Sequence, residues 1–179
     1  MRTEYKYIEL ANIGRDGEIK GYVVEHGQDL PSRARCKVNS GDVIASSVEG
    51  SLESIALITE EYHNALCSTG FHVINSDVLN SETLLVLLKS SVGQLQLKKG
   101  CSGTILTSIN KDEFSKIVVP TIKTKKQTEI QQKVIESFNL RKRAKDLLGW
   151  AKRAVEIAIE QDEQTAIDWL ESVSRGTDA

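Results

Sequence analysis

The chain has 179 residues, 40% of them hydrophobic and 27% charged, which excludes a disordered chain and predicts one globular domain with an appendage. No window approaches 18 consecutive apolar residues, and the charged, alternating start MRTEYKYIEL lacks an apolar core, so neither a transmembrane helix nor a secretory signal is expected, and three cysteines, an odd count, fit a reduced cytoplasmic location. The net charge of -2 hides blocks: residues 120–154 carry ten Lys and Arg against three Asp and Glu, whereas residues 155–179 carry one against seven.

Residues 1–119 read as short strands and turns. Strand candidates are Tyr5–Ala11, Gly21–Val24, Leu30–Val38 (alternating after Pro31), Val43–Val48, Ser54–Ile58, Gly70–Ile74 and Ile117–Val119. Asp16-Gly17 marks a tight turn, because glycine accepts the positive φ such a turn needs. Ser81 is the expected N-cap of a helix that ends near Ser90–Gly93 or runs to Leu97. Lys98 to Thr104 is expected as a loop on account of its glycines, and Pro120 closes the globular part.

From Gln127 to Leu170 only Gly149 interrupts helix-favouring sequence. Ile130, Val134, Phe138, Leu148, Val155, Ile159 and Trp169 recur at intervals that suggest an imperfect coiled-coil seam. Such a helix is too long to bury its stripe on a domain of this size, so a partner helix is expected. Trp150 reads as part of the same seam. The expected architecture is α+β: a small mixed α/β domain over 1–121 and a long helical region over 122–179 that forms a coiled coil with a partner.

Catalytic signatures are absent from the sequence. It has no phosphate loop, no GxGxxG, no nucleophile elbow and no CxxC or zinc-finger spacing, so no cofactor and no metal are expected. Cys67 lies between His63 and His72, which invites a Cys/His nucleophile, but a small buried thiol is the simpler reading. The adjacent Glu60 and Glu61 read as a solvated turn.

Five stretches in order resemble the specificity (S) subunit of Type I restriction–modification systems, specifically one target recognition domain plus one helical spacer. They are Tyr7–Ile13 followed by Gly17 and Ile19; Ser32–Arg35 followed by Val38 and Gly41–Ser46; Asn64 with Ser68–Phe71; Ser102–Thr104 with Ile109; and Pro120 followed by Gln127 and Ile130. Thr121–Lys126 departs from the family's junction, and the chain holds one domain and one spacer where members usually carry two of each.

The resemblance implies a non-catalytic subunit that reads one half of a split target in double-stranded DNA and recruits methyltransferase and restriction subunits. The base-reading and phosphate candidates are Arg33, Arg35 and Lys37, which alternate along one strand face; Ser46, Ser47 and Glu49 on a strand–turn; and Lys98, Lys99, Ser102 and Thr104 in a loop rich in hydroxyls and amides. Two copies are expected to pair through antiparallel long helices, the acidic end of one against the basic belt of the other. The competing reading is a coiled-coil adaptor with no role on DNA.

Overall fold

The computed structural model describes residues 3–175. By compactness the chain divides into two units, one ending at Gln131 and one starting at Gln132. Strands β1 (Glu4–Ile8), β2 (Val23–His26), β3 (Ala34–Lys37), β4 (Val43–Ser46), β5 (Ile55–Leu57), β6 (Leu66–Ser68) and β7 (Phe71–Ile74) precede helices α1 (Ser81–Lys89) and α2 (Ser91–Gly100). A small hairpin, β8 (Cys101–Ser102) and β9 (Ser108–Ile109), and a one-turn helix α3 (Lys111–Phe114) follow. Helix α4 (Thr124–Glu160) and helix α5 (Glu163–Arg175) complete the described chain. The α+β class with a long C-terminal helix is as expected.

The strands form two sheets. One has the order β2-β1-β6-β3, with β1 and β6 parallel and the other pairs antiparallel; the second is antiparallel with the order β5-β4-β7. Both face one core. Ile8 and Cys67 from the first sheet, with Val38 just past β3, meet Ile44, Ala56 and Phe71 from the second, and Ile58, Tyr62 and Ala65 join the same core. Strand β4 is central and buried on both faces, which explains its unbroken apolar run. Leu84, Leu85 and Leu88 are the buried face of α1, which packs on β5 and β4.

Several boundaries differ from the expectation for definable reasons. The cap of α1 is Asn80, whose side chain accepts from the Thr83 amide at 2.9 Å, and Ser81 is already helical. Ser90 ends α1 and caps α2 through an acceptor bond from Gly93. Gly93 permits that abrupt restart, because a Cβ there would lie 2.3 Å from the Leu87 carbonyl. Ile117–Val119 is not a strand. The Gln96 side chain replaces a strand partner there, donating to the Val118 carbonyl and accepting from the Val118 amide, both at 2.9 Å.

The long helix ends earlier than expected. Gly149 is absorbed within α4, and the chain turns at Gln161–Asp162 instead. Asp162 caps α5 by accepting from the Thr165 amide and hydroxyl, each at 2.8 Å, and these bonds hold its carboxyl below the usual range. Within the second unit α5 returns antiparallel along α4. Ala154, Ile157 and Ala166 are buried between them, and Ser174 shares a cleft with Lys142, Arg143 and Trp150. Part of the acidic stretch pairs within the chain, since Arg153 reaches Glu156 at 2.9 Å and Glu160 at 3.7 Å along α4.

Candidate nucleic-acid interface

The turn joining β6 to β7 lies between the two groups of expected contact residues. The Thr69 amide donates to the Arg33 carbonyl at 2.8 Å, and the Ser47 amide and hydroxyl donate to the Gly70 carbonyl at 2.8 and 3.0 Å. Two residues of one turn thus tie the start of β3 to the end of β4. Ser47 in turn accepts from the Ile109 amide at 2.8 Å, and the Glu49 amide donates to the Thr107 carbonyl at 3.0 Å, so the β8–β9 hairpin is fastened to the same strand end. Arg33, Ser47, Glu49 and the hairpin are therefore a connected assembly, although 33 and 102 are far apart in sequence.

Arg33, Arg35 and Lys37 are all exposed, at a strand on the edge of its sheet. Arg35 and Lys37 alternate on β3 itself, and Arg33 just precedes it. Arg33 lies in the turn before β3, and the register of β3 against β6 shifts between Ala34 and Cys36, while Arg35 and Lys37 keep the exposed positions of the alternating pattern. The Arg35 side chain bends back to donate to the Ser32 carbonyl at 2.6 Å. Bulges re-aim side chains at functional edges.

Ser46 is buried and points inward. Its hydroxyl accepts from the Val48 amide at 3.1 Å and pairs with the Ser51 hydroxyl at 2.8 Å, so it holds the turn after β4 and does not reach a groove. Ser47 is half-buried and committed to Gly70. Glu49 and Lys98 line one cleft with Arg15, Ser51 and Gln94, a cavity of 520 Å³. Lys98 and Lys99 are not in a loop: they form the last turn of α2, where cations complement the helix dipole, and both are exposed. Ser102 and Thr104 are exposed on the hairpin.

Sequence reasoning missed two features of this surface. The first is the bridging role of Thr69-Gly70, for which the glycine is the available signal. The second is the hairpin tip, where Ile105 and Leu106 stand 99% and 70% exposed.

Of the expected seam, Ile130, Val134 and Phe138 on α4 and Trp169 on α5 are half-buried, while Leu148, Val155 and Ile159 are exposed. At the α-helical repeat Ile130, Leu148, Val155 and Ile159 fall within about 40° of one another around the axis. Trp169 does not continue that stripe, because it sits on the returning helix.

Cys67 is fully buried opposite Cys36 across β3 and β6. Burial, reinforced by the Cys36 thiol, pushes its pKa up to about 12. The histidines are engaged elsewhere: His63 Nδ1 accepts from the Ser40 amide, and His72 Nε2 bonds the Ile109 carbonyl at 3.0 Å with its ring against Phe114. A thiol held protonated is a poor nucleophile. Native protein treated with maleimide at mildly alkaline pH is expected to label at Cys36 and Cys101 before Cys67, as read by peptide mass spectrometry. Labelling of Cys67 first would contradict that assignment. Among the described residues no group of three or more His, Cys, Asp or Glu could hold a metal ion, and no helix is long and apolar enough to cross a membrane.

No protein-family model matches the sequence, and no curated protein matches it. Solved structures do. A chain of a type I R-M system, solved in work on that system's complex assembly and conformational transition, is 28% identical; the match covers 93% of this chain and 43% of that one with a TM-score of 0.68. The HsdS subunit from Thermoanaerobacter tengcongensis is 26% identical over 88% of this chain and 41% of its own, with a TM-score of 0.65. The resemblance to Type I specificity subunits is thus borne out in the fold, over most of this chain. The chain spans less than half the length of either of these two structures.

Proposed function

We propose that this chain is a non-catalytic DNA-recognition subunit of a Type I restriction–modification system, built as one recognition domain and one helical spacer, and that it reads one half-site of a bipartite duplex target. The observation that carries the reading is the match to the HsdS subunit and to the type I R-M chain along nearly the whole of this chain but under half of theirs. A surface with Arg33, Arg35, Lys37, Lys98 and Lys99 exposed on one recognition unit supports it, since register on a duplex comes from phosphate contacts and sequence from base edges. Methyltransferase and restriction subunits are the further partners in this reading.

The second half-site requires a second reader. The exposed stripe of Leu148, Val155 and Ile159 favours pairing through α4. With α5 occupying another side of α4, two copies supply the two readers of a two-fold symmetric, interrupted site.

Selection from a randomised duplex pool tests the reading. The full chain is expected to enrich one interrupted sequence and to bind it with a log–log salt slope of several units. Changing Arg33, Arg35 and Lys37 to alanine together is expected to cut the magnitude of that slope by about 2–3 if each neutralises one phosphate. A chain that enriches nothing and shows no salt dependence is the adaptor of the competing reading, and the proposal fails.

A further inference from the structure

The tip of the β8–β9 hairpin presents two large aliphatic side chains to solvent, on a hairpin whose returning strand is hydrogen-bonded to the domain. The hairpin is short, Cys101 pairing with Ile109 and Ser102 with Ser108, and the four residues Gly103–Leu106 form most of its turn. Its returning strand is fastened to the domain by the Glu49–Thr107 and Ile109–Ser47 main-chain bonds, by a bridge between Val48 and Ser108, and by His72 on the Ile109 carbonyl. Gly103 sets the turn: its φ is +134°, and a Cβ there would lie 2.7 Å from the Leu106 carbonyl oxygen. The apolar tip is therefore built by the backbone and not by packing, since Ile105 packs on almost nothing.

We infer that Ile105 and Leu106 are an apolar wedge that enters the duplex between adjacent base pairs. The inference rests on the DNA-reading function proposed above and adds a mode of recognition to it. Two features of the surroundings fit a duplex. Lys98 and Lys99 precede the hairpin on the last turn of α2, Ser102 and Thr104 lead into the tip as exposed residues, and both sets suit phosphates beside an opened step. Size argues against a protein partner at this point. Two side chains offer far less than the roughly 800 Å² each partner buries in a stable protein interface, whereas a wedge needs only one or two aliphatic groups to part a base step. The wedge confers specificity through deformability, favouring the easily unstacked pyrimidine–purine steps TA and CA/TG.

The test uses the full chain and the duplex it enriches from a randomised pool, with 2-aminopurine placed at each pyrimidine–purine step in turn. Wild-type protein is expected to raise the fluorescence at one such step. The variant I105S/L106S is expected to abolish that signal and to weaken binding about tenfold or more, because the burial of both aliphatic groups is lost. Its salt slope stays unchanged, since no phosphate contact is removed, whereas K98A/K99A lowers the slope and keeps the signal. Ile105 and Leu106 are exposed, so the serine variant is expected to keep the fold, and an unchanged thermal midpoint verifies this. Equal binding and equal fluorescence in the serine variant overturn the wedge while leaving the DNA reading intact. A variant that changes oligomeric mass but not DNA binding overturns it in favour of a protein contact. A wild-type chain that enriches no duplex overturns both.

Discussion

Replacing Gln127 with alanine is expected to lower the stability of the unit that ends at Gln131 by about 2–4 kcal/mol. Gln127 is 7% exposed, at the first turn of α4, and every polar atom of its side chain is used. Its Oε1 accepts from the Asn80 amide at 2.7 Å, and its Nε2 donates to the Val78 and Ile122 carbonyls at 3.0 and 2.8 Å. Its own carbonyl accepts from the Asn80 side chain at 3.2 Å, and Asn80 is also the cap of α1. One amide thus fastens the root of α4 to the start of α1. Truncation leaves one N–H and two C=O groups without partners in a half-buried site, and each such orphan costs about 1–3 kcal/mol, offset in part by water. Denaturant unfolding gives the size of the effect, and amide exchange gives its place, with the loss of protection centred on Asn80 and Thr83. Gln127→Glu separates the terms, because it keeps an acceptor for Asn80 and removes both donors. An alanine variant within about 0.5 kcal/mol of the parent, the range of ordinary surface changes, would show that the clamp is dispensable.

Gln127 also marks where the sequence was legible and where it was not. Its place after Pro120 belongs to the pattern that resembles a specificity subunit, yet nothing in the spacing tells that its amide closes on Asn80, 47 residues earlier. Local signals did well where the physics is local. Asp16-Gly17 turns with a φ of +89° at Gly17, and the strands at β4, β5 and β7 lie within one to two residues of their alternation or apolar runs. Short-range reasoning failed where a distant group completes the structure. Ile117–Val119 has strand composition, but Gln96 takes its hydrogen bonds. Ser46 lies in a stretch of hydroxyls that reads as a surface, but β4 is central to its sheet and turns the residue inward. The helix after Gln127 reads as continuous because Gln161 and Asp162 are not strong breakers. Only the cap formed by Asp162 shows that a second helix begins there. The apolar exposure of Ile105 and Leu106 was illegible for a related reason, since two aliphatic residues in a glycine-flanked segment ordinarily face a core.

Leu148→Glu combined with Val155→Glu is expected to convert a dimer into single chains and to weaken binding to a two-fold symmetric site by on the order of 10²–10⁴. The premise is the pairing of two copies through α4 put forward above. Leu148 and Val155 are 59% and 60% exposed, and Ile159, on the same side of the helix, is 80% exposed. Isolated exposed apolar residues need no explanation, but a stripe along one helix face does. Helix α4 has 37 residues, about 55 Å at 1.5 Å per residue. The return of α5 covers Ala154 and Ile157, on a different side, so the stripe is not satisfied within the chain. Glutamate is the better probe than a β-branched or small residue. It keeps helix propensity, and at 148 it stands four residues before Lys152, a spacing that favours an ion pair in the isolated helix. The single chain should therefore keep its fold while two such carboxylates facing an apolar partner surface oppose association. Light scattering should find twice the 19.8 kDa chain mass for the parent and one chain mass for the variant. Affinity for a lone half-site should be the same for both, because the recognition unit is untouched, and only the gain from binding two half-sites together should disappear. A parent that is already a single chain, or a variant that remains a dimer, would move the second reader off α4.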